Sequence, residues 1–159
     1  MTDVELLRHT VATLAYRAAK TMRGAPAYFA DFKPGPTSKR PVEVVAHMGD
    51  LFDWGLTLVE GAPQWNTSIP LPWDQECVRF FAALKKFDDA LAAGHSIKMP
   101  LTKIFQGPIA DALTHTGQLA SLRRLAGCPM KGESYPQADI VVGRVGFDQT
   151  PANPNYEFD

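Results

Sequence analysis

The sequence predicts an all-α protein: a four-helix bundle followed by an irregular tail. Apolar residues recur at helical spacing in four stretches, each bounded by glycine and proline. The one β-branched run, Ile140-Val141-Val142, is too short and isolated to establish a sheet. At 159 residues, 45% hydrophobic and 21% charged, the chain has the size of one domain and buries a core without needing disulfides or a metal.

Thr2 followed by Glu5 forms a capping box, and Leu6, Val11, Leu14, Ala15 and Ala18 supply the apolar stripe of a first helix running to about Thr21. Gly24, Pro26, Pro34, Gly35 and Pro36 make 23–40 a long connector. Pro41 suits the first turn of a second helix, with Val42, Val45, Met48, Phe52, Leu56 and Val59 inward, and Gly61 and Pro63 stop it. Pro70 and Pro72 precede a third, with Asp74 as its N-cap, Val78, Phe81, Leu84 and Ala92 inward, and Gly94 at its end. The fourth starts at Pro108, directly after Gly107, and reaches Ala126 before Gly127 and Pro129 close it. Residues 101–106 read as a separate turn.

The bundle thus occupies 1–127 and the tail 128–159. Pro129, Pro136, Pro151 and Pro154, with glycines at 132, 143 and 146, rule out another long helix there. The tail keeps Tyr135, Phe147, Tyr156 and Phe158, which a solvated linker lacks, so it is expected to be ordered and draped over the bundle, within reach of the site.

A net charge of −1 argues against a nucleic-acid or anionic-membrane partner. Residues 1–40 carry seven Lys and Arg against three Asp and Glu, and 128–159 carry two against five. Either the tail folds back on the N-terminal region or the bias is plain solvated surface. Met1-Thr2-Asp3-Val4-Glu5 lacks the basic and apolar regions of a secretory signal, and no apolar run has membrane-span length, so a cytoplasmic location is expected. Cys77 and Cys128 have no metal-ligand spacing and are expected to be reduced, Cys77 in the core. Asn66-Thr67-Ser68 matches a glycosylation sequon that a cytosolic protein would not have modified.

Asp111 and His115 stand four residues apart on one face of the fourth helix, where one cation can bind both without distorting the backbone. His47, midway along the second helix, is the candidate third ligand. Each has a plainer reading. Asp-x-x-x-His pairs are common by chance, and a lone helical histidine is more often a satisfied core residue. Ala110, Ala112, Leu113, Leu119 and Leu122 surround the pair with apolar groups, and buried ionisable groups need partners, which a divalent cation supplies. Asp50 is either an orienting partner of His47 or a further ligand. His9 and His95 read as surface histidines, with His9 a reserve ligand. Arg123 and Arg124 oppose the helix dipole, with binding of an anionic substrate group open to Arg123. Trp54, Trp65 and Trp73 serve packing or, alternatively, a substrate wall. No Gly-rich phosphate loop, Gly-x-Ser-x-Gly elbow or Cys-His nucleophile pair is present.

The string from Asp111 through His115-Thr116-Gly117-Gln118 to Gly127 resembles the last helix of the DinB-like (YfiT-like) superfamily, where a histidine followed by x-Gly-Gln closes a metal triad. Ala46-His47-Met48-Gly49-Asp50 is similar to that family's second-helix histidine. The resemblance covers roughly 1–127. It implies up-down-down-up topology and a divalent metal held by three side chains, nickel or zinc ahead of manganese or iron. Gln118, inside the motif, becomes a candidate to orient His115 or touch substrate. Where the family has a histidine four residues before the closing one, this chain has Asp111. Aspartate is a competent ligand, and it hardens the site.

The resemblance further implies a metal-dependent enzyme acting on a small molecule. Transfer of a low-molecular-weight thiol onto an electrophile is expected first, and metal-assisted hydrolysis second. The rival is a non-catalytic metal-binding bundle acting through homodimerisation or partner binding, with Phe80, Phe81 and Phe87 available to an interface as readily as to a core. An enzyme needs a vacant coordination position beside a pocket, whereas a structural site is closed by a fourth protein ligand.

Overall fold

Three helices of equal length, α1 (Asp3–Met22), α2 (Pro41–Glu60) and α3 (Trp73–Ala92), form most of the wall. The fourth rod is composite, with α4 (Leu101–Ile104), a π turn (Phe105–Ile109) and α5 (Ala110–Leu125) in direct succession. The computed structural model describes residues 1–94, 97–149 and 154–158. His95, Pro151 and the side chain of Phe158 lie outside the described part.

Contacts along the rods fix their directions. Arg8, early in α1, grips Asp88 late in α3 through both carboxylate oxygens (2.9 and 2.8 Å), so these two helices are antiparallel. Arg79 pairs with Asp50 and Phe87 packs on Phe52 and Gly55, so α2 and α3 advance together and are parallel. His47 meets His115 while Gly55 faces Pro108, which makes α2 and the fourth rod antiparallel. Leu6 shares a cleft with Phe105, and Arg123 donates to the Thr21 carbonyl, so α1 and the fourth rod are parallel. The topology is up-down-down-up.

Parallel neighbours demand a long return. A helix of α2's length spans roughly 30 Å, and the connection 61–72, if fully extended, reaches roughly 40 Å. It therefore runs back along α2 almost taut. Gln64 N–H donates to Thr57 Oγ1, Ser68 N–H to Asp50, and Leu71 N–H to Glu76. Glu76 thus satisfies the backbone entering α3. Asp74 does not cap that helix; it sits within the first turn, and Pro72 occupies the cap position.

The fourth rod begins earlier than the Gly107-Pro108 pair predicts. Pro108 lies inside continuous helix. An α-helical proline has no N–H for the carbonyl four residues back, and its ring collides with that carbonyl. The wider π turn relieves the collision and removes the need for that bond. The two small residues allow close approach to α2: a methyl on Gly107 would lie 3.2 Å from the Trp54 ring, and one on Gly55 3.2 Å from the Pro108 ring.

Phe29, Phe52, Phe80 and Phe87 are fully buried, with Phe81 nearly so. The α3 phenylalanines therefore belong to the core and offer no association surface. Leu6, Val78 and Ala92, expected inward, face solvent on the outer sides of their helices. Among the described residues no helix is long and apolar enough to cross a membrane.

The tail contains one small ordered feature that the sequence did not announce. Two short strands, β1 (Gly132–Glu133) and β2 (Glu157–Phe158), pair antiparallel with Glu133 opposite Glu157. Like charges opposed across a ladder repel. Lys20 of α1 answers both, at 3.0 and 3.2 Å. Val145 is buried and Phe147 packs edge-on against Phe81. The described polar and ring contacts of the tail run to α1, α3 and the end of α5, and none reaches His47, Asp111 or His115.

Candidate metal centre

Helical spacing on α5 aligns Asp111 with His115, and the antiparallel α2 presents His47 to the pair. His47 Nε2 lies 3.4 Å from Asp111 Oδ2, and His115 Nε2 lies 3.5 Å from Asp111 Oδ1. The two imidazoles stand edge to face, with ring centroids 4.8 Å apart. One ligand atom from each residue falls within 4.8 Å of the other two. Four ligands about 2.1 Å from a tetrahedral ion stand roughly 3.4 Å from one another. Each imidazole stands at that distance from Asp111, but on a different carboxylate oxygen, so gathering the three side chains on one ion takes either both oxygens or a turn of the carboxylate.

His47 is suited to the task electrostatically. Burial chiefly, and then the neighbouring His115, lower its pKa below the usual histidine value; the facing Asp111 carboxylate opposes them only in part. At neutral pH the imidazole therefore favours its uncharged form, the form that binds a cation. On His115, Nδ1 lies 2.9 Å from Gln118 Oε1, which leaves Nε2 turned toward Asp111.

The cluster sits at the bundle surface rather than in an apolar interior. Half of the Asp111 side chain is exposed, and Ala110 and Leu113 are only partly buried. The apolar surroundings expected from the α5 sequence cover one side only. On the open side a cleft of about 400 Å³ runs past Asp111, lined by Leu51, Trp54, Gln106, Gly107, Ala110 and Thr114. Trp65, carried by the α2–α3 connection, packs against both His47 (5.6 Å) and Trp54 (5.9 Å). Sequence reasoning placed Trp54 and Trp65 in packing first. Their proximity to the cluster depends on the return path of a loop, which has no periodicity to read.

Other candidates are engaged elsewhere. Asp50 is buried, accepts the Ser68 N–H and pairs with Arg79 at 3.1 Å, so it faces the connection rather than His47. Arg123 is buried and donates to the carbonyls of Cys128 and Thr21, tying the end of α5 to α1, and it does not line the cleft. His9 lines a separate cleft on α1. Trp73 packs edge-on against Phe29. No protein-family model, curated protein or solved structure matches this chain.

Proposed function

We propose that the chain is a divalent-metal enzyme of the DinB-like kind, with His47, Asp111 and His115 as the ligands. In this reading it transfers a low-molecular-weight thiol onto an electrophile, with metal-assisted hydrolysis as the second chemistry. The observation that carries it is a three-ligand cluster whose aspartate is half exposed, directly beside a cleft. No fourth protein ligand closes the group among the described residues, which is the arrangement of a site that leaves room for substrate. A bound divalent ion would lower the pKa of a thiol or water and so supply a nucleophile at neutral pH.

The chain's own residues divide the remaining work. Asp111 brings one negative charge, so the ligand set offsets half the charge of a divalent ion. Two histidines and one carboxylate suit zinc or nickel, and accept iron or manganese. Gln118 orients the His115 ring. Trp54 gives the cleft a flat apolar wall, and Trp65 packs behind it against His47. Apart from Asp111 its lining is uncharged, which favours a substrate with a neutral body.

The association reading has an observation of its own. Leu6 and Phe105 are exposed and, with Leu7 and Leu101, line an apolar cleft of about 490 Å³ between α1 and α4. The test is reconstitution of untagged protein with nickel, zinc, manganese or iron, followed by assay of thiol conjugation and ester hydrolysis with model electrophiles. Turnover that disappears in His115→Ala supports the enzyme. Stoichiometric metal without turnover, in a protein that sediments as a dimer, supports association instead.

A further inference from the structure

We infer that the cleft between α1 and the tail is a second binding site, which takes a small organic acid with its carboxylate on Arg17 and its apolar body against Tyr135 and Ile140. The cleft has a volume of about 390 Å³, and its residues exclude all three of the metal-cluster side chains. His9, Thr13 and Arg17 are spaced by four along α1 and form one polar rail, with Tyr16 beside it. Tyr135, Pro136, Ala138 and Ile140 make the opposite wall.

Arg17 is the reason to expect an anion. Its guanidinium carbon lies over the Tyr135 ring, 4.0 Å from the centroid, a cation–π contact that restrains the side chain. Its Nε is shielded from solvent and has no hydrogen-bond partner among the described residues. Among the described residues no carboxylate comes within 4.0 Å of this guanidinium; the other cations of α1, Arg8 and Lys20, both have acidic partners. A shielded donor without an acceptor is costly in a folded protein, and a guanidinium fork matches a carboxylate bidentately.

The neighbouring groups leave this demand unmet. The Thr13 hydroxyl donates to the His9 carbonyl and the Tyr16 hydroxyl to Glu133. Glu133 shares Lys20 with Glu157 and keeps its Oε1 buried without a hydrogen-bond partner among the described residues, but neither carboxylate pairs with the Arg17 fork. The free donors are those of Arg17 and the imidazole of His9. The opposite wall is apolar apart from the tyrosine ring. A ligand that combines one carboxylate with a compact apolar body satisfies both halves.

Benzoate is the probe, with benzamide as its neutral isostere and inorganic phosphate as an anion without the apolar body. The readout is the Arg17 side-chain Nε–H resonance in proton–nitrogen spectra of the full chain, a local signal that binding at the histidine cluster leaves in place. Saturable benzoate-induced shifts are expected, with benzamide at least tenfold weaker and Arg17→Gln at least tenfold weaker by calorimetry. Tyr135→Leu, which removes the aromatic ring without touching the buried helix face, is expected to weaken benzoate similarly and serves if Arg17→Gln does not fold. The proposal is overturned if benzoate leaves the Arg17 resonance unmoved or binds a folded variant as tightly as the parent. Phosphate binding as tight as benzoate overturns the organic-acid assignment.

Discussion

His115 is held in place by Gln118: the amide oxygen stands 2.9 Å from Nδ1, one helical turn along α5. With the proton on Nδ1, the lone pair of Nε2 projects toward Asp111, where a cation would sit. Gln118→Ala should keep all three ligands yet weaken metal binding about 10- to 100-fold. Competition with a chelating dye measures this. Unchanged affinity would show that the ring needs no such support.

Loss of a ligand should be more severe. Untagged parent protein is expected to carry one divalent ion per chain by elemental analysis, and His47→Ala, Asp111→Ala and His115→Ala each to carry far less. Metal retained in any one of them would remove that residue from the ligand set.

Acid should act on His47. Its pKa in the folded chain lies below the ordinary 6.5, so the folded state binds this proton less readily than the unfolded state. The associated stability is present above the unfolded value and is lost as pH falls through the lower folded one. Urea midpoints of metal-free protein should therefore drop between pH 7.5 and 5. His47→Gln should flatten that fall, and an identical slope in the variant would count against it. Metal affinity should decline over the same interval because protons compete for the lone pair.

The two thiols should differ in reactivity. Burial pushes Cys77 up to about 12, with Asp74 and Glu76 adding to the effect. Cys128 is only partly buried. Iodoacetamide at pH 7.5 is expected to label Cys128 in folded protein and Cys77 only after denaturation, as peptide mass mapping would show. Rapid labelling of Cys77 in the native state would contradict its place in the core.

Arg79 joins three pieces of chain: α2, the α2–α3 connection and its own helix α3. It pairs with Glu76 and Asp50, both buried, and donates to the Ala46 carbonyl and Ser68 hydroxyl. A methyl on Gly49 would lie 2.8 Å from its guanidinium carbon, so this glycine keeps the crossing open. Arg79→Met would strand two buried carboxylates and should cost about 3–5 kcal/mol in chemical denaturation. A loss below about 1 kcal/mol would mean the carboxylates find water instead.

The first three helices were legible because each carries local punctuation. Glu5 meets Thr2, Pro41 opens α2, and Gly61 and Gly94 adopt positive φ where they close theirs. The fourth was misread at its start, since Gly107-Pro108 is ordinary boundary language and a π turn leaves no separate mark. Pro100 ahead of Leu101 was the usable signal. At the site, i and i+4 spacing put Asp111 and His115 together, and its place midway along the second amphipathic helix made His47 the candidate third ligand, a choice that the family resemblance supported. Asp50 and Arg123 could not be placed, because their partners, Arg79 and Thr21, are remote in sequence. The contact of Arg17 with the Tyr135 ring was hidden for the same reason.

The taut strap joining α2 to α3 also makes loop length a controlled dimension. Ordinary surface loops tolerate insertions and deletions with small entropic penalties. Here the tether has only a few residues of slack, and it delivers Trp65 to His47 on its way. Shortening it would drag the indole off the imidazole before the helices parted, and lengthening it would let the indole drift. The spacing of a connector without regular structure is thereby coupled to the packing around His47 in the candidate metal cluster.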